Sequence, residues 1–175
     1  MTESRAYGVL FLCTANSARS VLAEAALQRA GAGRFEAFSA GSTPRGQVNP
    51  VALELLAAEG FDISRFRSKS WDEFAAPGAP ELDFIITLCD SAAGEACPVW
   101  PGRPVSAHWG LPDPASVEGE TAQRVAFADT LRAIEARIAN LLQLPLEKLE
   151  AGELQHCLAA IGAGPESAQE AQEHD

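Results

Sequence analysis

Hydrophobic and polar positions follow two periods along this chain. From Tyr7 to Cys13 the residues are almost wholly apolar, which predicts a strand buried on both faces. Ser20–Ala30 has apolar residues at helical spacing and stops at Gly31, so a helix is expected there. Phe35–Ala40 reads as a second short strand closed by Gly41. Pro50–Glu59 reads as a helix, with Asn49 as N-cap, Pro50 at the first helical position and Gly60 at the end. Phe84–Cys89 is a strongly apolar third strand, Val105–His108 a fourth, and Glu118–Leu142 a long amphipathic helix. This alternation predicts an α/β fold, a four-stranded parallel sheet in a three-layer sandwich. After Pro145 a Leu- and Glu-rich helix is expected over Leu146–Ile161, as an appended packing or interface element. The small, polar, acidic stretch 165–175 is expected to be disordered. The expected organisation is a catalytic domain over 1–144, the added helix over 145–164 and the tail.

In a parallel sheet covered by helices, function gathers at the C-terminal strand ends. The first strand ends in Cys13 and runs on as Thr14-Ala15-Asn16-Ser17-Ala18-Arg19-Ser20 before the first helix. Such a loop turns its backbone N–H groups inward, and the helix dipole adds positive potential. A thiolate is stabilised there, as is a tetrahedral oxyanion beside it. The Arg19 fork can grip two anion oxygens, and Ser20 can donate to the Cys13 sulfur. Asn16 tolerates the left-handed backbone a tight anion loop needs. The constellation suits nucleophilic attack on phosphate or arsenate, against the bland reading of a buried strand-end cysteine and a surface arginine.

Two further strand ends carry candidate chemistry. Cys89 closes the third strand, and Cys97 follows after a small, flexible segment. The pair reads either as a redox relay or as two packing cysteines, and proximity to Cys13 favours the relay. Asp113, held between Pro112 and Pro114, is a candidate general acid, or else an ordinary turn aspartate. His108 and Trp109 precede it as pocket-lining or packing groups. Cys157, at apolar spacing on the last helix, reads as packing. No paired C-x-x-C or H-x-x-x-H spacing points to zinc.

Charge narrows the partners. The 175 residues carry a formal net charge of −11, which argues against nucleic acid and anionic membranes. It also means that local dipoles and Arg19 must hold an anionic substrate against the overall field. No apolar run reaches the roughly 20 residues that cross a membrane, and no secretory signal is evident, so a cytoplasmic protein is expected. In that reducing compartment the four cysteines are more readily catalytic or buried than disulfide-bonded.

With these residues in view, the chain resembles the low-molecular-weight protein tyrosine phosphatase superfamily, and within it the arsenate reductases usually linked to thioredoxin. The resemblance runs from about Tyr7 to Leu142. It rests on Cys13 to Ser20, Phe38-Ser39-Ala40-Gly41, Val48-Asn49-Pro50, Asp62-Ile63-Ser64, Thr87-Leu88-Cys89 with Cys97-Pro98, and His108-Trp109-Gly110 with Asp113-Pro114-Ala115. The Cys-x5-Arg-Ser pattern with a later Asp-Pro identifies the superfamily. The Cys89/Cys97 pair and His-Trp-Gly favour the reductases. Ala115-Ser116 stand where phosphatases usually carry aromatic residues that hold phosphotyrosine. Ala15 replaces a frequent glycine, and Ala18 a frequent second loop cysteine, removing one regulatory disulfide.

The resemblance implies that Cys13 attacks arsenate, with Thr14 to Ser20 and Arg19 holding it and Asp113 protonating the departing oxygen. Cys89 then attacks Cys13, Cys97 takes over the disulfide, and thioredoxin, or glutathione with glutaredoxin, reduces it. No organic cofactor is implied. Some relatives bind potassium through residues matching Asn16, Glu24 and Ser39 plus an aspartate. Lys69 stands at the aspartate position, where its ammonium can occupy the cation's place beside Glu24, so no required metal is expected. The alternative function is a phosphatase acting on phosphotyrosine or small esters through a phosphocysteine. A third reading, an oxyanion-binding or thiol-sensing module, expects binding without turnover.

Overall fold

The computed structural model describes residues 6–89, 100 and 104–173, with side chains described as far as Ala163. Cys97, the outer member of the expected relay, lies outside the described residues. The four expected strands are present as β1 (Tyr7–Cys13), β2 (Phe35–Gly41), β3 (Phe84–Thr87) and β4 (Val105–His108). They form one sheet in the order β2-β1-β3-β4, with every pairing parallel. The helices are α1 (Arg19–Ala30), α2 (Pro50–Ala58), α3 (Asp72–Ala75), α4 (Glu120–Leu142) and α5 (Ala151–Glu173).

Period-two alternation in β1 sorts the core into two layers. Val9 and Phe11 face one way, into a large cluster with Leu22 of α1, Leu56 of α2, Ile134 of α4 and Leu158 of α5. Leu10 and Leu12 face the other way, toward Phe74 of α3, Leu82 and Ile85. Both faces of β1 are therefore dry, which is why its sequence reads as an unbroken apolar run.

Local signals explain most element ends. The Asn49 side chain accepts from the Val51 N–H at 2.8 Å, capping α2 as expected, and Pro50 follows it. Asp62 and Asp113 cap short 3-10 turns in the same way, at Ile63–Arg65 and Pro114–Ser116. Strand β3 stops at Thr87 instead of Cys89, because beyond it the pairing on the β4 side passes to the loop after His108. Leu88 donates to the Leu12 carbonyl, and its own carbonyl accepts from Leu111.

The chain end differs from expectation. Residues Leu146–Lys148 form a separate 3-10 turn, and α5 begins at Ala151. Its backbone stays helical to Glu173, through the stretch expected to be disordered, where Ala, Gln and Glu all favour helix. Leu154, Leu158 and Ile161 recur at helical spacing and join the large core cluster. Helix α5 lies against β4. A Cβ on Gly162 would sit 2.3 Å from the His108 carbonyl oxygen, so only glycine permits this approach. The fully buried Trp109 indole donates to the Leu158 carbonyl at 2.8 Å, which makes Trp109 a packing residue.

Candidate active site

The loop after β1 is built from main-chain bonds. The carbonyls of Thr14, Ala15 and Ser17 accept from the N–H groups of Thr43, Arg45 and Asn49 at 2.8–3.0 Å, and that of Ala18 accepts from Leu22. With its carbonyls spent on an outer wall, such a loop has its N–H groups on the inner side, at the start of α1. Asn16 supplies the left-handed turn at φ 46°. Gly41, at the end of β2, packs beneath: a Cβ there would lie 2.4 Å from the Thr14 carbonyl oxygen.

Cys13 is buried, with its sulfur 3.0 Å from the Ser20 hydroxyl. Asn16 orients the Ser20 hydroxyl in that contact. Its side-chain carbonyl accepts from the Lys69 N–H at 2.9 Å, and its amide nitrogen donates to Ser20 Oγ at 2.8 Å. The hydroxyl oxygen is thereby an acceptor from Asn16, and its one proton is available to the Cys13 sulfur. A nucleophilic sulfur is served by that arrangement.

The parallel register then brings the other candidates to the same edge. Leu12 pairs with Thr87, so Cys13 and Cys89 emerge from adjacent strands. Their side chains are buried against each other. Cys89 Sγ lies 3.5 Å from Thr14 Oγ1. The half-buried Cys157 on α5 is not part of this cluster.

Arg19 and the Asp113 turn are tied together. Arg19 Nη1 donates to the Leu111 carbonyl at 2.8 Å, two residues before Asp113. The Leu111 N–H in turn donates to the Leu88 carbonyl, next to Cys89. Asp113 is half-buried; its Oδ1 accepts from the Ala115 N–H at 2.9 Å. Gln123 of α4 donates to the carbonyls of Ala115 and Val117, a clamp on this turn that no sequence motif announces. His108 sits at the sheet edge with Nδ1 2.8 Å from Thr87 Oγ1.

Behind the loop, Glu24 of α1 is buried and accepts from the Ser39 hydroxyl at 2.5 Å. Lys69 Nζ lies 3.9 Å from the same Glu24 oxygen and donates to the Arg67 carbonyl at 3.0 Å. Burial pushes the Glu24 carboxyl above its ordinary range, opposed by the Ser39 hydrogen bond and by Lys69, Arg65 and Arg67. Burial likewise pushes the Lys69 ammonium down, opposed by Glu24. The monovalent-cation site implied by the resemblance would use Asn16, Glu24 and Ser39. Here Asn16 Oδ1 is spent on the Lys69 N–H, Ser39 is spent on Glu24, and an ammonium adjoins the carboxylate. With the Lys69 ammonium in that place, these residues do not fit an added cation.

Comparison with known proteins agrees with this architecture. Residues 8–153 match the family described as low molecular weight phosphotyrosine protein phosphatase. The arsenate reductase of Bacillus licheniformis is 36% identical over 124 residues, covering 71% of this chain and 86% of that one. That of Shouchella clausii is 36% identical over 136 residues, covering 77% and 94%. Among solved structures, a thioredoxin-dependent arsenate reductase of Corynebacterium glutamicum superposes with a TM-score of 0.60 at 28% identity, over 81% of this chain and 63% of that chain. An arsenate reductase of Archaeoglobus fulgidus superposes with a TM-score of 0.56 at 29% identity, over 75% and 98%. The match spans the whole sheet, the anion loop and the Asp113 turn, and the chain belongs to the low molecular weight phosphotyrosine protein phosphatase family.

Proposed function

We propose that this protein reduces arsenate to arsenite. One observation carries the reading: the Cys13 and Cys89 thiols are buried against each other at the mouth of an anion loop. Ester hydrolysis needs one nucleophilic sulfur there. Electron transfer to arsenic needs a second within reach. The curated relatives named arsenate reductase support the same choice.

The proposed reaction runs in these steps. Arsenate sits on the loop N–H groups of residues 14–19, held by Arg19. Cys13 Sγ attacks arsenic, an As–O bond breaks, and Asp113 protonates the leaving oxygen, which departs as water. Cys89 Sγ then attacks Cys13 Sγ, with Thr14 Oγ1 beside it. The S–As bond breaks and its electron pair goes to arsenic, releasing arsenite and leaving a Cys13–Cys89 disulfide. Cys97 attacks Cys89, frees Cys13 and carries the disulfide outward. An external dithiol of the thioredoxin class reduces it, in keeping with the thioredoxin-dependent structural neighbour. The cysteines carry both electrons without an organic cofactor, and a reducing, cytoplasmic setting keeps them ready. No described helix is long and apolar enough to cross a membrane.

The phosphatase chemistry of the family uses the same loop, Arg19 and Asp113. Against it as the main activity stands the turn after Asp113, which carries Ala115 and Ser116 and no aromatic wall for phosphotyrosine.

The deciding experiment is single-turnover arsenate reduction followed by mapping of the new disulfide. A Cys13–Cys89 or Cys89–Cys97 bond with stoichiometric arsenite is expected. Arsenite release at full rate from Cys89→Ser through many turnovers would overturn the relay.

A further inference from the structure

Two of the buried charges among the described residues lie behind the anion loop and do not touch substrate. Glu24 and Lys69 are, by side chain, only 8% and 10% exposed. A buried carboxylate behind an anion loop is an awkward neighbour, because it repels the dianion the loop is built to hold. Glu24 is one of the acidic residues that bring the chain to −11. Lys69 is stitched to the site at every polar position. Its N–H holds Asn16, which orients Ser20 toward the nucleophile. Its carbonyl accepts from Gly41, the residue beneath the loop. Its ammonium lies among oxygens, those of Glu24 and the Arg67 carbonyl. An oxygen-lined, buried, positively occupied position is chemically a monovalent-cation site whose cation is part of the chain.

We propose that Lys69 is a tethered counter-ion of the anion loop. It neutralises Glu24 behind α1 and holds segment 67–70 against the loop, so that oxyanion binding needs no bound monovalent cation. Lys69 is thus a positioning residue that acts through Glu24 and Asn16 and touches no substrate. The inference concerns the loop alone and stands whether the bound oxyanion is later reduced or hydrolysed.

The test uses the full chain and inorganic phosphate as probe, with binding followed by calorimetry in potassium chloride and in choline chloride at equal ionic strength. Wild type is expected to bind phosphate equally in both salts. Lys69→Ala opens an oxygen-lined space. It is expected to bind about tenfold more weakly in choline and to recover in potassium, with its unfolding temperature rising in potassium but not in choline. A wild-type protein that needs potassium would overturn the proposal. So would a Lys69→Ala protein that binds equally in both salts, whether tightly or weakly. Should the alanine variant fail to fold, Lys69→Met fills the space without charge, and Glu24→Gln combined with it removes the carboxylate as well. The double variant is expected to regain most of the affinity that Lys69→Met loses. Equal weakness of the two would show that charge neutralisation is not what Lys69 supplies. In kinetics with a phosphate ester, the loss belongs mainly in KM, and a merely structural lysine would not produce that split.

Discussion

Cys13 and Cys89 lie side by side, yet the chain secures them in opposite ways. Cys13 is enclosed by four elements. β1 delivers it, α1 supplies Ser20, the end of β2 supplies Gly41, and the 67–70 segment locks Asn16. Cys89 stands at the end of a short strand, with Thr14 at 3.5 Å and the Leu88–Leu111 main-chain bond just before it. The difference matches the tasks proposed for them. A nucleophile that meets an oxyanion must be held in one geometry. A thiol that attacks one sulfur and then yields to another must be able to change partners.

The largest effect that can test this contrast is Cys13→Ser. It is expected to remove arsenate reduction and p-nitrophenyl phosphate hydrolysis together, each by at least about a thousandfold. Cys89→Ser separates the two. Multiple-turnover arsenate reduction is expected to vanish, while ester hydrolysis stays within about threefold of wild type. Parallel loss of hydrolysis would mean that Cys89 also organises the loop, and the contrast would collapse.

Gly41→Ala comes next, because its Cβ would meet the Thr14 carbonyl oxygen at 2.4 Å. Both activities are expected to drop about a hundredfold. Hydrolysis near the wild-type level would show that the loop tolerates displacement.

A smaller effect appears in pH dependence. Burial holds the Glu24 carboxyl above its ordinary value of 4.5. A raised folded-state value favours the protonated form in the native protein. The stability this group contributes is therefore present in full below 4.5 and lost as pH rises through the folded value. In Lys69→Met, one of the charges that lowers that value is gone, leaving Arg65 and Arg67. Urea unfolding between about pH 5 and about pH 8 is expected to show a steeper loss of stability with rising pH than in wild type. Equal slopes would remove Lys69 from the support of the Cys13 side.

The smallest effect probes the Cys89 side from a distance. Gly162→Ala pushes α5 against the His108 carbonyl and the Trp109 ring, and is expected to cost about 1–3 kcal/mol of stability. Because Trp109 N–H pairs with Thr87 and Leu111 N–H with Leu88, arsenate turnover is expected to suffer more than ester hydrolysis. Equal loss in both would mean that α5 supports the whole sheet and not the Cys89 strand end in particular.

Much of this was readable in order along the chain. The apolar runs Tyr7–Cys13 and Phe84–Thr87 are strands buried on both faces, and their composition reports that directly. Asn49, Pro50 and Gly60 mark the ends of α2, because capping chemistry is local. The anion loop was visible because its thiol, turn residue, arginine and hydroxyl lie within eight consecutive positions. The Gln123 clamp was hidden: a glutamine on an amphipathic helix looks like any solvated residue until the Asp113 turn folds against it. The end of α5 was hidden for a related reason, since a polar, acidic composition suits a solvated helix as well as a disordered tail.

By itself, then, the sequence determined the strands, the capped helices and the candidate nucleophile in its loop, because each depends on neighbours a few residues apart. Only the tertiary structure decided that the Cys13 and Cys89 side chains are buried against each other, that Leu111 holds Arg19, and that the Lys69 ammonium stands 3.9 Å from Glu24 behind the loop. Those contacts join residues tens of positions apart. They exist because the parallel order β2-β1-β3-β4 sets the strand ends side by side, and burial then forces each charge and polar atom to find its partner there.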